Sequence, residues 1–316
     1  MRLFSSILLL ISLSGPIHAQ QTPGEEAAFT AVRRATNPAA RLAAAEDFVA
    51  NFPQSTKRPE VARLVSEYLP IIRNSEIAVS MVVRARAIFT SPEELEFFKP
   101  VALEIYANGH RANEAFTLAG ELLSKQPDDI WSLIKLTYLG AHEAKNSNLK
   151  YADQSLQYGF KAIELIEKDL RPPRLSDSSW LEAKSKLGGL YQQVGIINLA
   201  GSKVSEAKTY LAKAIQLNPR DPTSYALLGR VLNGEYEKLK AKYLELPEGN
   251  AKVEEKKRLD TALDEIIDDY AHAVALATGK EEHQTLLQQM VPDLTSFYKY
   301  RHGSVEGLQK LVAKYR

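Results

Sequence analysis

The sequence predicts an all-α protein built as a solenoid of stacked helix pairs. Apolar residues recur at steps of three and four along most of the chain, and segments with strand-like alternation are nearly absent. The stretch 187–229 reads as two amphipathic helices followed by the start of a third. A charged segment after Gly229 keeps an apolar stripe, which indicates one pair of unusually long helices. Since an amphipathic helix cannot bury its stripe alone, each helix must pack on a neighbour.

Composition narrows the class of protein. The chain has 316 residues, of which 45% are hydrophobic and 25% are charged, as in an ordinary soluble protein with a substantial core. The net charge of +1 provides no overall field that would favour nucleic acid or an anionic membrane. The absence of cysteine excludes disulfides, thiolate metal sites and a cysteine nucleophile.

Residues 1–19 read as a cleaved export signal. Arg2 supplies the positive start, residues 4–13 the apolar run, and Ala19 the small residue before the cleavage point. An uncleaved anchor is the alternative, but the apolar run is too short to span a bilayer core of about 30 Å. We therefore expect an exported chain, periplasmic or secreted, without stable membrane insertion after cleavage.

Residues 20–100 are predicted to form a divergent helical N-terminal region. Asn37 and Pro38 have the character of an N-cap and a first-turn proline. Ser91 and Glu94 have the spacing of a capping box, which begins the last helix of the region. Helices are predicted at 25–34, 38–51, 59–69, 75–89 and 92–108.

Residues 101–316 are predicted to hold the stacked pairs. A helix is expected at 112–125, and the next two, at 131–144 and 150–168, are expected to form a pair. In the central stretch, Ser179 is expected to cap a first arm that ends at Gly201 and Ser202. The second arm ends before Pro219, because proline lacks an amide donor and clashes inside a helix.

The central stretch resembles the tetratricopeptide repeat (TPR), whose period is 34 residues. The residues that fit the first-helix spacing are Leu187, Gly188, Tyr191 and Gly195. Those that fit the second-helix spacing are Ala207, Leu211, Ala214 and Pro219. The two halves are out of step by seven residues, or two helical turns, so the resemblance implies a right-handed TPR-like solenoid with lengthened repeats.

A long αα-hairpin is predicted at about 230–277. Apolar residues continue at helical spacing through this highly charged segment, and residues 247–250 supply a turn. Mixed charges favour a solvated arm over a docking arm. A helix from Ser304 is expected to cap the end of the solenoid, whose last core face would otherwise be exposed.

Motifs for chemistry are missing from the sequence. There is no glycine-rich phosphate loop. His142 and Glu143 begin a zinc-protease motif, but Asn146 stands where the second histidine is needed. Asp268 and His272 could share a metal, although a surface hydrogen bond is the commoner role for such a pair. We expect no enzyme activity, no cofactor and no metal.

The resemblance implies that a partner binds in the concave groove lined by the first helix of each pair. Carried over residue by residue, the candidates are Trp131, Lys135, Tyr138, His142, Lys186, Gln192, Gln193, Arg230 and Asn233. These aromatic, amide and basic groups suit an extended peptide with acidic or C-terminal character. An ordinary surface or core role is the alternative for each of them, and most of all for Trp131.

The expected function is a non-enzymatic protein–protein interaction scaffold of the cell envelope that binds a partner protein or peptide. A structural accessory of an outer-membrane or envelope assembly complex is one alternative. The other is an enzyme or glycan-binding protein on a helical scaffold, which would need an acidic or aromatic cluster inside the groove. No nucleic-acid partner is expected, and the oligomeric state is not predicted.

Overall fold

The computed structural model describes residues 23–316, which form fifteen α-helices and two 3-10 helices, with no strand among these residues. The predicted all-α class is therefore confirmed. The export signal predicted at 1–19 lies outside the described residues. The chain divides into two compact units, one ending at Val101 and the other running from Ala102 to Arg316.

The first unit is a set of short helices around an aromatic core. Phe29 packs near Phe48, and Phe89 stacks on Phe98 at 5.4 Å between ring centroids. Asn37 caps α2 as predicted, since its side chain accepts the amide of Ala40 at 2.9 Å. The helices are α1 Pro23–Arg34, α2 Pro38–Asn51, α3 Arg58–Ser66, α4 Ser75–Ile88 and α5 Pro92–Asn108, of which α5 continues into the second unit.

The helix predicted at 59–69 is divided. It is observed as α3, followed by a separate 3-10 helix at Leu69–Ile71. Pro70 explains the division, because proline restricts the preceding residue and cannot continue the ladder of helical hydrogen bonds.

The capping box of α5 carries a buried ion pair. Glu94, whose side chain is 2% exposed, accepts the amide of Ser91 at 3.0 Å and the Nε of Arg58 at 2.7 Å. Arg58 also donates to the carbonyl of Ile88 at 3.1 Å. Burial opposes ionisation of Glu94, but the hydrogen bonds from Arg58 and Ser91 outweigh it and hold the pKa of the carboxyl below its usual value.

The second unit consists of helices that pack in consecutive pairs. Its pairs are α7 with α8, α10 with α11 and α12 with α13, and α10 also packs against α7. The helices are α6 Ala112–Lys125, α7 Ile130–Lys145, α8 Ala152–Glu167, α9 Asp177–Ser185, α10 Leu187–Ala200, α11 Val204–Leu217, α12 Pro222–Glu245, α13 Asn250–Ala277, α14 Gln284–His302 and α15 Leu308–Ala313.

Three first helices meet their partners through a glycine. A Cβ added at Gly195 of α10 would lie 2.8 Å from Cγ of Leu211 in α11. Gly229 of α12, one 34-residue period later, lies against the ring of Tyr270 in α13. Gly140 of α7 lies still closer to its neighbour, Ser155 in α8. This repeated close approach is the packing expected of a TPR-like solenoid.

The first arm of the central stretch differs in detail from the prediction. Its N-cap is Ser176 rather than Ser179, because the Ser176 hydroxyl accepts the amide of Ser179 at 3.2 Å. The arm is also divided into α9 and α10 at Lys186, whose backbone stays helical at φ −83° and ψ −4°. The helix α9 precedes the residues from which the seven-residue offset was inferred, and α10 and α11 have 14 residues each.

The predicted long hairpin is present. The helix α12 has 24 residues and α13 has 28, and they bury Tyr236, Leu259 and Leu263 between them. Glu255 is buried within the hairpin and pairs with Lys242 at 3.1 Å.

The C-terminal helix is shorter than predicted. Gly303 ends α14 in the left-handed conformation at φ 79°, as expected, but α15 begins at Leu308 rather than Ser304. Gly307, at φ 91°, makes the turn between the two helices. Val312 is buried in the core that α12, α13 and α14 share. Among residues 23–316, no helix combines the length and apolarity that a membrane span needs.

Candidate partner-binding groove

The structure brings six of the nine candidate residues to one groove in the second unit. The groove has a volume of about 640 Å³ and is formed by the end of α5, by α7 and α10, and by Lys186 at the junction of α9 and α10. The candidates that line it are Trp131, Lys135, Tyr138, His142, Lys186 and Gln193. We call it the aromatic groove, after Trp131 and Tyr138.

The floor of the aromatic groove is apolar. Trp131 is half-buried and packs against the core of the second unit while it also lines the groove. Ile134 and Leu139, which are buried residues of α7, complete this surface. Trp131 therefore does both things that the sequence allowed: it packs in the core, and it lines the groove.

Tyr138 is held by its hydroxyl. The side chain is 38% exposed, yet its hydroxyl lies so close to Gly189 of α10 that a Cβ there would overlap it. Burial raises the pKa of Tyr138, and the negative charge of Asp221 adds to the effect. Tyr138 is thus neutral at physiological pH, and it lines the groove.

Cationic side chains surround the groove. Lys135 pairs with Glu104 at 2.9 Å, whereas Lys145 and Lys186 make no ion pair with any of residues 23–316. Burial lowers the pKa of Lys145, and the charge of Asp221 opposes this shift. Among the described residues that line the groove there is no carboxylate, so its positive charge is not neutralised from within.

Two stacked histidines form one end of the groove. The ring of His142 lies on that of His110, with centroids 3.8 Å apart and planes 13° apart. Burial and the charge of His110 lower the pKa of His142, against a smaller opposing effect of Glu143. His110 was not predicted from the sequence, because it follows α5 in a turn at φ 53°, outside the first-helix positions that the resemblance implies.

The structure places the other three candidates elsewhere. Gln192 is engaged in holding α12, because it donates to Ser224 Oγ at 2.8 Å and to Asp221. Arg230 is exposed and donates to Gln289 Oε1 at 2.6 Å. Asn233 is half-buried, and its Oδ1 has no hydrogen-bond partner among the described residues.

A second pocket lies next to the aromatic groove. It has a volume of about 380 Å³, and Lys145 lines both sites. Its apolar surface comes from Ile196, Leu199 and Leu227, and Arg230 is its other cation. We call it the aliphatic pocket. Lys145, like His110, was not a candidate from the sequence, because it ends α7 beyond the last predicted first-helix residue.

Negative charge is collected in a different cleft of the second unit. This acidic cleft, of about 560 Å³, lies between α11, α12 and α13 and contains Asp264, Glu265, Asp268, Asp269 and one base, Lys208. Burial, followed by the charges of Asp268 and Glu265, raises the pKa of Asp269 to about 7. No group of three or more side chains within residues 23–316 has metal-binding geometry.

Asp268 and His272, considered above as a possible metal pair, are engaged with protein atoms. His272 Nδ1 is 3.2 Å from the carbonyl oxygen of Asp268, and the hydroxyl of Tyr315 donates to the Asp268 carboxylate. The His272 ring lies between those of Tyr225 and Tyr315. These contacts fasten the C-terminal end of the chain to α13.

No family model and no curated protein sequence matches the chain. Among solved structures it is similar to PilF of Pseudomonas aeruginosa, at 13% identity over 81% of this chain and 97% of that one, with a TM-score of 0.39. It is also similar to a tetratricopeptide repeat protein from Parabacteroides merdae, at 12% identity over 84% and 96%, with a TM-score of 0.41. Both TM-scores are low, so the description of the fold rests on this chain's own contacts. In this chain three first helices meet their partners through a glycine, and two of these glycines lie one 34-residue period apart, which is the spacing of a TPR-like helical-repeat fold.

Proposed function

We propose that this chain is a non-catalytic binding protein that holds a segment of a partner protein in the aromatic groove. The observation that carries the proposal is an apolar floor, with Trp131 and Tyr138, beside the unpaired cations Lys145 and Lys186. Aromatic anchors in a desolvated pocket supply most of the affinity of protein interfaces. Charges at the rim steer association and select the partner.

Two other functions are less well supported. An enzyme would need a nucleophile or an acid–base pair at the groove, and the imidazoles in its described lining are only those of the stacked His110 and His142. A structural accessory of an envelope complex is the second candidate, and the projecting hairpin of α12 and α13 is the feature that favours it.

We also propose that the protein works in the cell envelope after export. The support is the sequence of residues 1–19, with Arg2, an apolar run and Ala19. N-terminal sequencing of the protein from a periplasmic or secreted fraction should begin at Gln20. A chain that retains Met1 in the cytoplasm would contradict the proposal.

The groove is tested by photo-crosslinking of the full chain in its native envelope. A benzoylphenylalanine placed at Tyr138 should crosslink to a discrete partner, whereas the same residue at Tyr300, which is also exposed, should not. The double change Lys145→Glu and Lys186→Glu should abolish the crosslink. The matched control, Lys203→Glu with Lys280→Glu, changes the same charge outside the groove and should preserve it.

Crosslinking that survives the groove variant, or that is equal at Tyr138 and Tyr300, would show that the partner does not use the aromatic groove. Circular dichroism of each variant establishes that the fold is retained, so that a lost crosslink reports on binding.

A further inference from the structure

We infer that the aromatic groove and the aliphatic pocket are two parts of one binding path for an acidic segment with two apolar side chains. An aromatic or other large side chain would occupy the groove, an aliphatic one would occupy the pocket, and carboxylates between them would meet Lys145. The inference rests on the proposed function and specifies the chemistry of the partner.

The connection between the two sites is Lys145. It lies at the C-terminal end of α7 and lines both the aromatic groove and the aliphatic pocket. Ala144, beside it in α7, also lines the pocket. An extended segment that runs along the end of α7 past Lys145 therefore reaches both sites.

The two parts differ in the side chains that they suit. The aromatic groove offers the flat rings of Trp131, Tyr138 and the stacked His110, against which another ring packs well. The aliphatic pocket has no aromatic side chain among its described lining residues and exposes Leu149, at 44%, on its rim. Branched aliphatic side chains suit such a surface.

The charge around the path selects an acidic partner. Lys145, Lys186 and Arg230 line it, and the hydrogen-bond partner of Arg230 is the neutral amide of Gln289. Nearby carboxylates are already engaged, since Glu104 pairs with Lys135 and Asp221 accepts bonds from Gln192 and Ser224.

The net charge of the whole chain is only +1, so this positive path is a local feature. The acidic cleft holds Asp264, Glu265, Asp268 and Asp269 elsewhere in the same unit. Separate surfaces of opposite sign allow the protein to choose partners by charge, which bulk charge would not permit.

The test uses a defined probe, a fluorescein-labelled peptide with a phenylalanine and a leucine separated by aspartates, read by fluorescence polarisation with the full chain. The number of aspartates is increased one at a time to find the separation that matches the two sites. We expect one separation to bind best. Replacing either anchor by alanine in that peptide should weaken binding about tenfold, the effect of losing one well-buried side chain.

Matched protein variants locate the anchors. Leu149→Asp should weaken binding of the two-anchor peptide about tenfold but leave the peptide without leucine unchanged. Leu244→Asp, an equivalent change at an exposed leucine of the hairpin, should affect neither. Lys145→Glu should weaken the binding of both peptides, and added salt should reduce the effect of this change.

If the peptide with both anchors replaced binds as tightly as the two-anchor peptide, the inference is overturned, because the surface would then bind any polyanion by charge alone. Equal affinity without the leucine, or an unaffected Leu149→Asp, would remove the aliphatic pocket while leaving the proposed function intact. The proposed function itself fails if crosslinking at Tyr138 survives the groove variant or is equal at Tyr138 and Tyr300, so the two failures are distinguishable.

Discussion

Single residues decide how closely the helices of the second unit approach. Gly140 lies against Ser155, and any side chain at Gly140 would overlap its hydroxyl and Cβ. The Ser155 hydroxyl is buried and has no hydrogen-bond partner among the described residues, so this serine serves packing rather than polar contact. Helix spacing at this point therefore depends on the missing Cβ of Gly140.

Gly140→Ala should lower the free energy of unfolding by about 1–3 kcal/mol, the usual result of overpacking a tight core. Adding Ser155→Gly should recover part of the loss, because it removes the atoms that clash. Urea unfolding of the single and double variants measures the coupling. Gly234→Ala is the control, since nothing lies within 4 Å of its Cβ position, and it should stabilise α12 by about 0.5–1 kcal/mol. A tolerated Gly140→Ala would mean that α7 and α8 can separate freely.

The ion pair of Arg58 and Glu94 predicts a specific pH dependence in the first unit. Removing one partner of a buried pair is costly, so Glu94→Gln should reduce unfolding free energy by about 3 kcal/mol at pH 7. The folded-state pKa of Glu94 is lowered, so its contribution is present above the unfolded value of 4.5 and is lost as pH falls through the folded-state pKa.

Denaturant unfolding of wild type and Glu94→Gln at pH 7 and at acid pH checks this dependence. The difference in unfolding free energy between the two proteins should shrink as the pH falls below 4.5. The exposed change Glu93→Gln, next to it in α5, is the control and should show no comparable gap. A gap that is independent of pH would assign the loss to packing instead of charge.

At the scale of the element, several helices of the second unit end in the same way. His110, Ser147, Asp169 and Ser202 all have positive φ without being glycine. The next amide then bonds to a carbonyl five residues back, as from Lys203 to Asn198 at 2.8 Å. This is a Schellman-type end, in which the left-handed residue is most often glycine.

Ser202→Gly should therefore raise the free energy of unfolding by about 0.5–1 kcal/mol. Glycine relieves the strain of the left-handed conformation, and this gain is larger than the loss caused by the greater backbone entropy of glycine in the unfolded chain. Thermal unfolding followed by circular dichroism is the measurement. Gly201→Ala is the neighbouring control: Gly201 has φ −80°, so alanine there should have little effect. A destabilised Ser202→Gly would show that the serine side chain contributes more than its backbone strain costs.

At this scale, the helix starts that the sequence predicted correctly are those with local signals. Pro38 after Asn37 marked the start of α2, and the capping box of Ser91 and Glu94 marked α5, since both are contained in a few consecutive residues. The cap of α9 was misplaced because Ser176, Ser178 and Ser179 are all plausible caps, and only the backbone conformation distinguishes them.

The candidate groove was predictable to the extent that first helices form it. Trp131, Lys135 and Tyr138 follow helical spacing on α7, so the resemblance located them together. His110 and Lys145 lie at helix ends, where the direction of a side chain depends on the turn that follows and not on periodicity. The four acidic residues of the acidic cleft are visible in the sequence as a charged helix face, but the cleft is not, because its other walls come from α11 and α12.

At the scale of the whole molecule, the long hairpin and the aromatic groove are separate features of the second unit. The groove is built by the end of α5 with α7 and α10, whereas the hairpin belongs to α12 and α13. The inner part of the hairpin, with Tyr236, Leu259 and Leu263, contributes to the core. The outer part, with Leu244 exposed at its end, contributes far less.

Replacing residues 240–257 by a short glycine-containing turn should therefore preserve the helical remainder and change the affinity of the acidic peptide by less than about twofold, since Tyr236 and Leu259 stay in place. Circular dichroism and fluorescence polarisation are the measurements. Deleting 236–263 is the contrasting variant, and it should unfold the end of the chain because it removes core residues. Loss of peptide affinity in the short variant would mean that the hairpin takes part in the groove.

The pairing of consecutive helices also has a consequence for how the second unit acquires its structure. Each helix rests mainly on helices close to it in sequence, so little loop-closure entropy opposes its docking. Proteins with such local contacts fold rapidly, because their folding does not require residues far apart in the sequence to meet first. A chain of this kind can gain structure pair by pair in the order in which it is delivered, from a ribosome or through a membrane pore, and each new pair finds its neighbour already in place.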